Sequence, residues 1–216
     1  MSMKKVWFIV MVFVLMGVLT ACNSGETKNG SPTESSPGVT TEANLSDLPD
    51  TETVMDPEGG HILIAYFSHT GNTEMVATVI AEKTGGELFR VMTVNPYPED
   101  YDECVNLARQ EQEEAARPEL SAHVDGMDNI DVVFLGYPNW LGTLPMPMLT
   151  FLEEYDFSGK TIIPFCTYGG SGLGRSIEDV STHCPDAIML EGLGIPASNA
   201  SNAQDEITQW LERIMF

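Results

Sequence analysis

Six consecutive residues, Ser68-His69-Thr70-Gly71-Asn72-Thr73, gather hydroxyl, amide and glycine groups between a continuous apolar run and a helical pattern. A helix start offers unpaired N–H donors and the positive end of a dipole, so it favours an anion. Ser68, Thr70 and Thr73 add hydroxyl donors, and Gly71 lets the backbone close around an oxyanion. No Lys or Arg lies between Ser68 and Glu82. The chemistry that suits these residue types is retention of a phosphate-like group by neutral donors. A Gly-Lys-Ser/Thr loop is absent, and so is G-x-G-x-x-G at this point. The plainer alternative is a capped turn, since Ser, Thr, Asn and Gly commonly precede helices.

The elements that would position this loop follow from the hydrophobic pattern. The apolar run from His61 to Phe67 reads as a strand buried on both faces, which suggests a parallel sheet. A helix follows with Met75, Val76, Val79 and Ile80 on one face, stopped by Gly85-Gly86. Further strands are expected at 87–91, 131–137, 161–167 and 187–190, with Pro164 as a blemish in the fourth. Helices are expected at 100–116, 146–155 and from Ser176. A last one opens at a capping box, Ser201-Asn202-Ala203-Gln204, and carries Ile207, Trp210, Leu211 and Ile214. Strands alternating with helices imply an open parallel sheet covered on both faces. Ligands on such sheets bind beyond the carboxyl ends of the strands, where strand order reverses. The loops after the first, third and fourth strands are therefore the places to search.

On these residues rests a family resemblance. Ser68-x-Thr70-Gly71-Asn72-Thr73 after a first apolar strand resembles the phosphate-binding loop of flavodoxin-like proteins, and the likeness spans about residues 61–215. It implies an α/β fold, a doubly wound open parallel five-stranded sheet in the order 2-1-3-4-5, with FMN at the switch point. Its phosphate would rest on Ser68, His69, Thr70, Gly71, Asn72 and Thr73. The second loop, Pro138-x-Trp140-x-Gly142-x-x-Pro145, is similar to a flavin-contacting loop in one flavodoxin-like branch. A flavin ring is flat, apolar on its faces and polar along one edge, so it needs an aromatic face and backbone partners. Trp140 would supply the face; Pro138, Asn139, Leu141 and Gly142 complete that loop. Thr167, Tyr168, Gly169, Gly170 and Gly172 would wrap the pyrimidine edge. The alternatives are that Trp140 is a core or interface residue and that the glycine loop holds no ligand. Flavodoxins carry acidic residues in these two loops, whereas this chain has none between Tyr137 and Leu152 or between Thr167 and Ser176.

The N-terminal residues read differently. Lys4 and Lys5 precede an apolar run from Val6 to Leu19, and Leu19-Thr20-Ala21-Cys22 resembles the lipobox of bacterial lipoproteins. The resemblance implies a signal peptide at 1–21, cleavage before Cys22 and lipidation of that residue. An ordinary signal peptide or an uncleaved anchor is the alternative. Residues 22–59 are rich in Ser, Thr, Gly, Pro and acids and hold no aromatic, which suits a disordered tether. An added edge strand near Thr51 to Met55 is the other reading. The folded domain is expected at 60–216.

The whole chain carries 32 acidic against 10 basic side chains, a net charge of -22. Such a balance argues against nucleic acid as a partner and against a basic membrane-docking face. Cys104, Cys166 and Cys184 remain after Cys22; a Cys104–Cys184 bridge is conceivable, while Cys166 ends a buried strand. His61, His69, His123 and His183 show no metal-ligand spacing, and the ring of His69 is expected to face solvent. No catalytic residue and no metal site is assigned. Three functions stay open. The first is an FMN-binding electron-transfer protein, tethered to the outer face of the membrane, with unidentified donor and acceptor. The second is an FMN-dependent NAD(P)H:quinone-type oxidoreductase, and the third a lipoprotein that binds a phosphorylated ligand without redox chemistry.

Overall fold

The structure is a computed structural model and describes residues 60–215. The expected signal peptide, Cys22 and the tether with its alternative edge strand lie outside those residues. Within them, β1 (His61–Tyr66), β2 (Glu87–Arg90), β3 (Ile130–Pro138), β4 (Thr161–Tyr168), β5 (Ile188–Met189) and β6 (Leu193–Pro196) form one sheet. The helices are α1 (Asn72–Thr84), α2 (Tyr101–Glu113), α3 (Met146–Glu154), α4 (Ser176–His183) and α5 (Gln204–Met215).

All strand pairs are parallel, in the order β2-β1-β3-β4-β5, with β6 also on β4. The apolar runs have the burial they predicted: Val133, Phe134, Leu135, Ile162, Ile163 and Phe165 are fully enclosed. Because alternate residues of a strand face opposite sides, the sheet divides the core in two. Leu63, Val133 and Leu135 pack with α3 through Phe151 and Leu152. Ile64, Phe134 and Phe165 pack with α1 and α5 through Val76, Ile80 and Trp210.

Several expectations need correction. The strand expected at 187–190 is only β5, Ile188–Met189, and an unexpected second piece, β6 at Leu193–Pro196, takes over beside β4. Pro164 explains the division. Ile162 accepts from the Leu190 N–H at 3.1 Å, so Pro164, two residues on, directs its backbone the same way. Its missing donor falls between the β5 pairing at 161–162 and the β6 pairing at 165–168. On α1 the buried face is Thr73, Val76, Ala77 and Ile80, and Met75 is exposed. Ser201 and Asn202 form no capping box: they close a 3-10 turn at Ala197–Asn202, and Ala203 O receives the Ile207 N–H.

Candidate functional site: a cavity at the switch point

β1 runs to α1 on one face and β3 to α3 on the other, so the ends of β1 and β3 diverge into a crevice. A cavity of about 430 Å³ opens there. It is lined by His69, Thr70 and Asn72 after β1, Pro138 to Leu141 after β3, and Thr167 to Gly169 after β4. Three loops separated by some 70 and 30 residues thus meet in one place, as their composition suggested.

The loop after β1 is closed upon itself. Gly71 takes φ 89° at the N-cap of α1 and supplies no side-chain cap, while its carbonyl receives the Met75 N–H at 3.0 Å. Ser68 Oγ accepts from the Glu74 N–H at 3.3 Å. Among the described residues, no acceptor meets the N–H groups of Thr70, Gly71, Asn72 or Thr73. Four donors at the positive end of a helix are therefore unpaired among the described residues. Ser68 and Thr73 are buried and act structurally, for Thr73 Oγ1 lies 2.9 Å from Thr167 Oγ1. Thr70 and Asn72 face the cavity, and Asn72 Nδ2 donates to Thr70 Oγ1 at 3.2 Å.

The loop after β3 reverses tightly. Trp140 N–H donates to Thr143 O at 2.8 Å, and Thr143 N–H returns to Trp140 O at 3.1 Å. Leu141 and Gly142 between them both have positive φ, 52° and 90°, the signature of a type I′ turn. Gly142 accommodates this freely; Leu141 is held at a conformation that non-glycine residues rarely adopt. The amides of Asn139, Trp140 and Gly142 are all satisfied internally, leaving the Leu141 N–H as the one of the four with no acceptor among the described residues. The expected backbone contacts from this loop therefore narrow to one amide and the carbonyls.

Asn139 joins this loop to the next. Its Nδ2 donates to Gly172 O at 2.6 Å, while its Oδ1 accepts from the Gly142 N–H at 3.0 Å. The Arg175 N–H adds a bond to Gly142 O at 2.9 Å. Gly142, Gly170 and Gly172 thus lie outside the cavity lining, two of them as parts of this clamp. The amides of Gly169 and Gly170 have no acceptor among the described residues.

Trp140 is half-buried and lines the cavity. Three rings meet it edge to face: Tyr97 at 5.0 Å, Phe67 at 5.4 Å and His69 at 5.9 Å. Contrary to expectation, the His69 ring does not point to solvent. Its Nε2–H donates to the Pro98 carbonyl at 2.9 Å, which holds the imidazole against the indole. Beneath, the Tyr97 hydroxyl donates to Glu111 in a very short hydrogen bond. Burial raises both groups above their ordinary ranges, and the Glu111 contact raises Tyr97 further, so the tyrosine stays protonated.

Sequence reasoning missed one wall. Glu99, Tyr101, Cys104, Val105 and Ala108 close the cavity from α2 and its approach, and Ala197 adds a point from the end of β6. Tyr101 is 78% exposed and stands at the rim. It also missed Arg90, which donates from Nη2 to Ser68 O at 3.0 Å. Cys104, Cys166 and Cys184 are buried and unbridged. Among the described residues no group of three or more His, Cys, Asp or Glu side chains could hold a metal, and no helix is long and apolar enough to cross a membrane.

Comparison with known proteins agrees with this geometry. The family model described as Flavodoxin matches residues 61–214. A protein from Bacteroides eggerthii DSM 20697, classed as a flavoprotein, is 31% identical with a TM-score of 0.65, over 73% of this chain and 99% of its own. A second, from Bacteroides uniformis ATCC 8492, is 28% identical with the same TM-score of 0.65, over 72% of this chain and 99% of its own. A flavoprotein from Lactobacillus acidophilus NCFM, solved in complex with FMN, shares the fold at 19% identity and a TM-score of 0.57, over 69% of this chain and 99% of its own. No curated protein matches.

Proposed function

The chain belongs to the flavodoxin family, and from that premise we propose that it binds FMN in the switch-point cavity and transfers electrons. The observation that carries the reading is the set of N–H groups from Thr70 to Thr73 that are unpaired among the described residues, on a loop whose Thr70 and Asn72 line the same crevice as Trp140. The residues present fit the cofactor. Neutral donors at a helix start suit a phosphate dianion, and an indole suits a planar ring. The volume of about 430 Å³ falls within the usual range for small-ligand sites, roughly 300–1,000 Å³.

In this reading the amides of Thr70 to Thr73 and the Thr70 hydroxyl hold the phosphate. Trp140 covers the ring, and the unpaired amides of Leu141 and Gly169, both cavity-lining residues, would read its polar edge. Bound FMN supplies the redox chemistry; the protein binds, orients and shields it. Asn139, by tying the second loop to the third, sets the slot before the cofactor arrives, which lowers the ordering cost of binding.

The same proposal extends to the N-terminus: a lipid on Cys22 tethers the domain outside the cytoplasmic membrane, with residues 22–59 as the spacer. Its electron donor and acceptor are then extracytoplasmic or membrane components. The test is the visible spectrum of the domain purified with and without added FMN. A bound-flavin spectrum, saturable at one equivalent, is the expected result. A protein that stays colourless and unsaturable in excess FMN ends the proposal. Rapid turnover of reduced nicotinamide with a quinone by the loaded protein would transfer the assignment to the reductase class.

A further inference from the structure

Among the described residues Arg90 is the only arginine or lysine that hydrogen-bonds the loop from Ser68 to Thr73, and it does so without lining the main cavity. It rises from the end of β2, the strand next to β1, which is why a scan of residues near the loop does not find it. One arm of the guanidinium donates to Ser68 O at 3.0 Å, and the other lies 3.5 Å from Glu74. Glu74 is itself bound to the loop, its N–H on Ser68 Oγ and its carboxylate accepting from Tyr66 Oη at 3.4 Å. Arg90 also lines a neighbouring cavity of about 300 Å³ with Ser68 and His69.

Two electrostatic consequences follow. A trans peptide places its C=O and N–H antiparallel, so a cation on Ser68 O directs the His69 N–H dipole away from Arg90. Secondly, Glu74 sits in the first turn of α1, beside the site proposed for a dianion, where an uncompensated carboxylate would repel it. Arg90 offsets that charge.

Resting on the FMN reading, we propose that Arg90 is a positioning residue for the cofactor phosphate: it offsets Glu74 and fixes the Ser68 peptide, so neutral donors alone touch the anion. The loop is then not cation-free in effect, since its cation stands one layer back.

The experiment compares FMN with riboflavin, which lacks the phosphate, on the folded domain. The wild type is titrated first; if it binds neither flavin, the FMN reading itself has failed. Given wild-type binding, Arg90→Met is expected to weaken FMN roughly tenfold, a surface-screened charge effect, while riboflavin stays within about twofold. Adding Glu74→Gln to Arg90→Met is expected to restore most of the loss, since it removes the charge left uncompensated. Arg90→Lys keeps the charge and is expected to retain most of the affinity. Equal weakening of both flavins, unchanged FMN affinity in Arg90→Met, or no rescue by Glu74→Gln overturns the proposal. Circular-dichroism melts of each variant identify a folding defect, and a variant that melts with wild-type cooperativity yet loses both flavins counts against it.

Discussion

The hydroxyls of Thr73 and Thr167 lie 2.9 Å apart although 94 residues separate them, and both side chains are almost wholly buried. This bond joins the first turn of α1 to the end of β4, so the phosphate loop and the ring loop are fastened at their roots. Replacing one partner leaves a buried hydroxyl unpaired, at a cost of about 1–3 kcal/mol, whereas replacing both removes the need for a bond. Thr73→Val and Thr167→Val should each destabilise the domain by that order. The double variant should be closer to wild type than the sum. Denaturant unfolding of all four proteins measures the coupling, and additive losses would show that the bond contributes nothing.

Trp140 should dominate affinity for the ring. Its indole is held from the flank by Phe67, His69 and Tyr97 and needs no reordering on binding. Stacking of a base on an aromatic contributes about 1–3 kcal/mol by alanine substitution, and a flavin ring offers at least a comparable face. Trp140→Ala is expected to weaken FMN and riboflavin alike by about ten- to a hundredfold. Trp140→Phe should lose less. Flavin-fluorescence titration reads both, and a selective loss of FMN alone would move Trp140 to the phosphate end.

The opposite selectivity is expected at Gly71. A Cβ there meets nothing within 4 Å, but φ of 89° strains any side chain. Asp is among the residues that tolerate the left-handed region best, so Gly71→Asp tests charge more than shape. A carboxylate about 5 Å from a phosphate costs about 3 kcal/mol or more at an effective dielectric near 20. The variant should fold, take up no FMN at micromolar concentration and still bind riboflavin. Normal FMN loading would remove the phosphate from this loop.

These assignments divide by how local their causes are. The strands, the order of the site loops and the identity of Trp140 can be read from short stretches, because a buried parallel strand is apolar over its whole length. Tyr101, Cys104 and Val105 could not be read as a cavity wall, since α2 is mostly polar, buries only Cys104 and Ala108, and takes its orientation from packing on α3. Arg90 reaches the loop only through the pairing of β1 with β2. His69 looked exposed because nothing nearby in sequence announces the Pro98 carbonyl 29 residues on. Pro164 argued against a central strand, yet the break between β5 and β6 removes the need for its missing donor. Composition finds what a segment does by itself; long-range partners appear only when the sheet is assembled.

The thiols should be slow to react. Burial pushes Cys166 up to about 12 and Cys184 up to about 11, and it also raises Cys104, helped by Glu111. The thiolate is the nucleophile, so at pH 8 only a small fraction of any of the three is reactive in the native state. Alkylation followed by mass spectrometry should add little to the folded domain and three groups per domain after denaturation without reductant. A mass showing two protected sulfurs after denaturation would reveal a bridge that the structure does not contain.

The reduction potential follows from the charges that surround the site. Residues 60–216 hold 24 acidic and seven basic side chains. Among the described residues no Lys or Arg lines the cavity, and Glu99 stands among its lining residues. Arg90, which hydrogen-bonds the loop, is engaged with Glu74 and so offers little net positive field to the ring. Trp140 adds an apolar face that solvates added charge poorly. Each term makes it harder to place negative charge on a bound flavin, so the two-electron couple should lie below that of free FMN. Part of that shift comes from exposed acids and is screened over roughly 10 Å at 0.1 M salt. Raising ionic strength should therefore move the couple upward, toward but not past the free cofactor. Spectroelectrochemistry at two salt concentrations tests both statements. A couple at or above that of free FMN would mean that local donors, such as the Leu141 and Gly169 amides, outweigh the field of the domain.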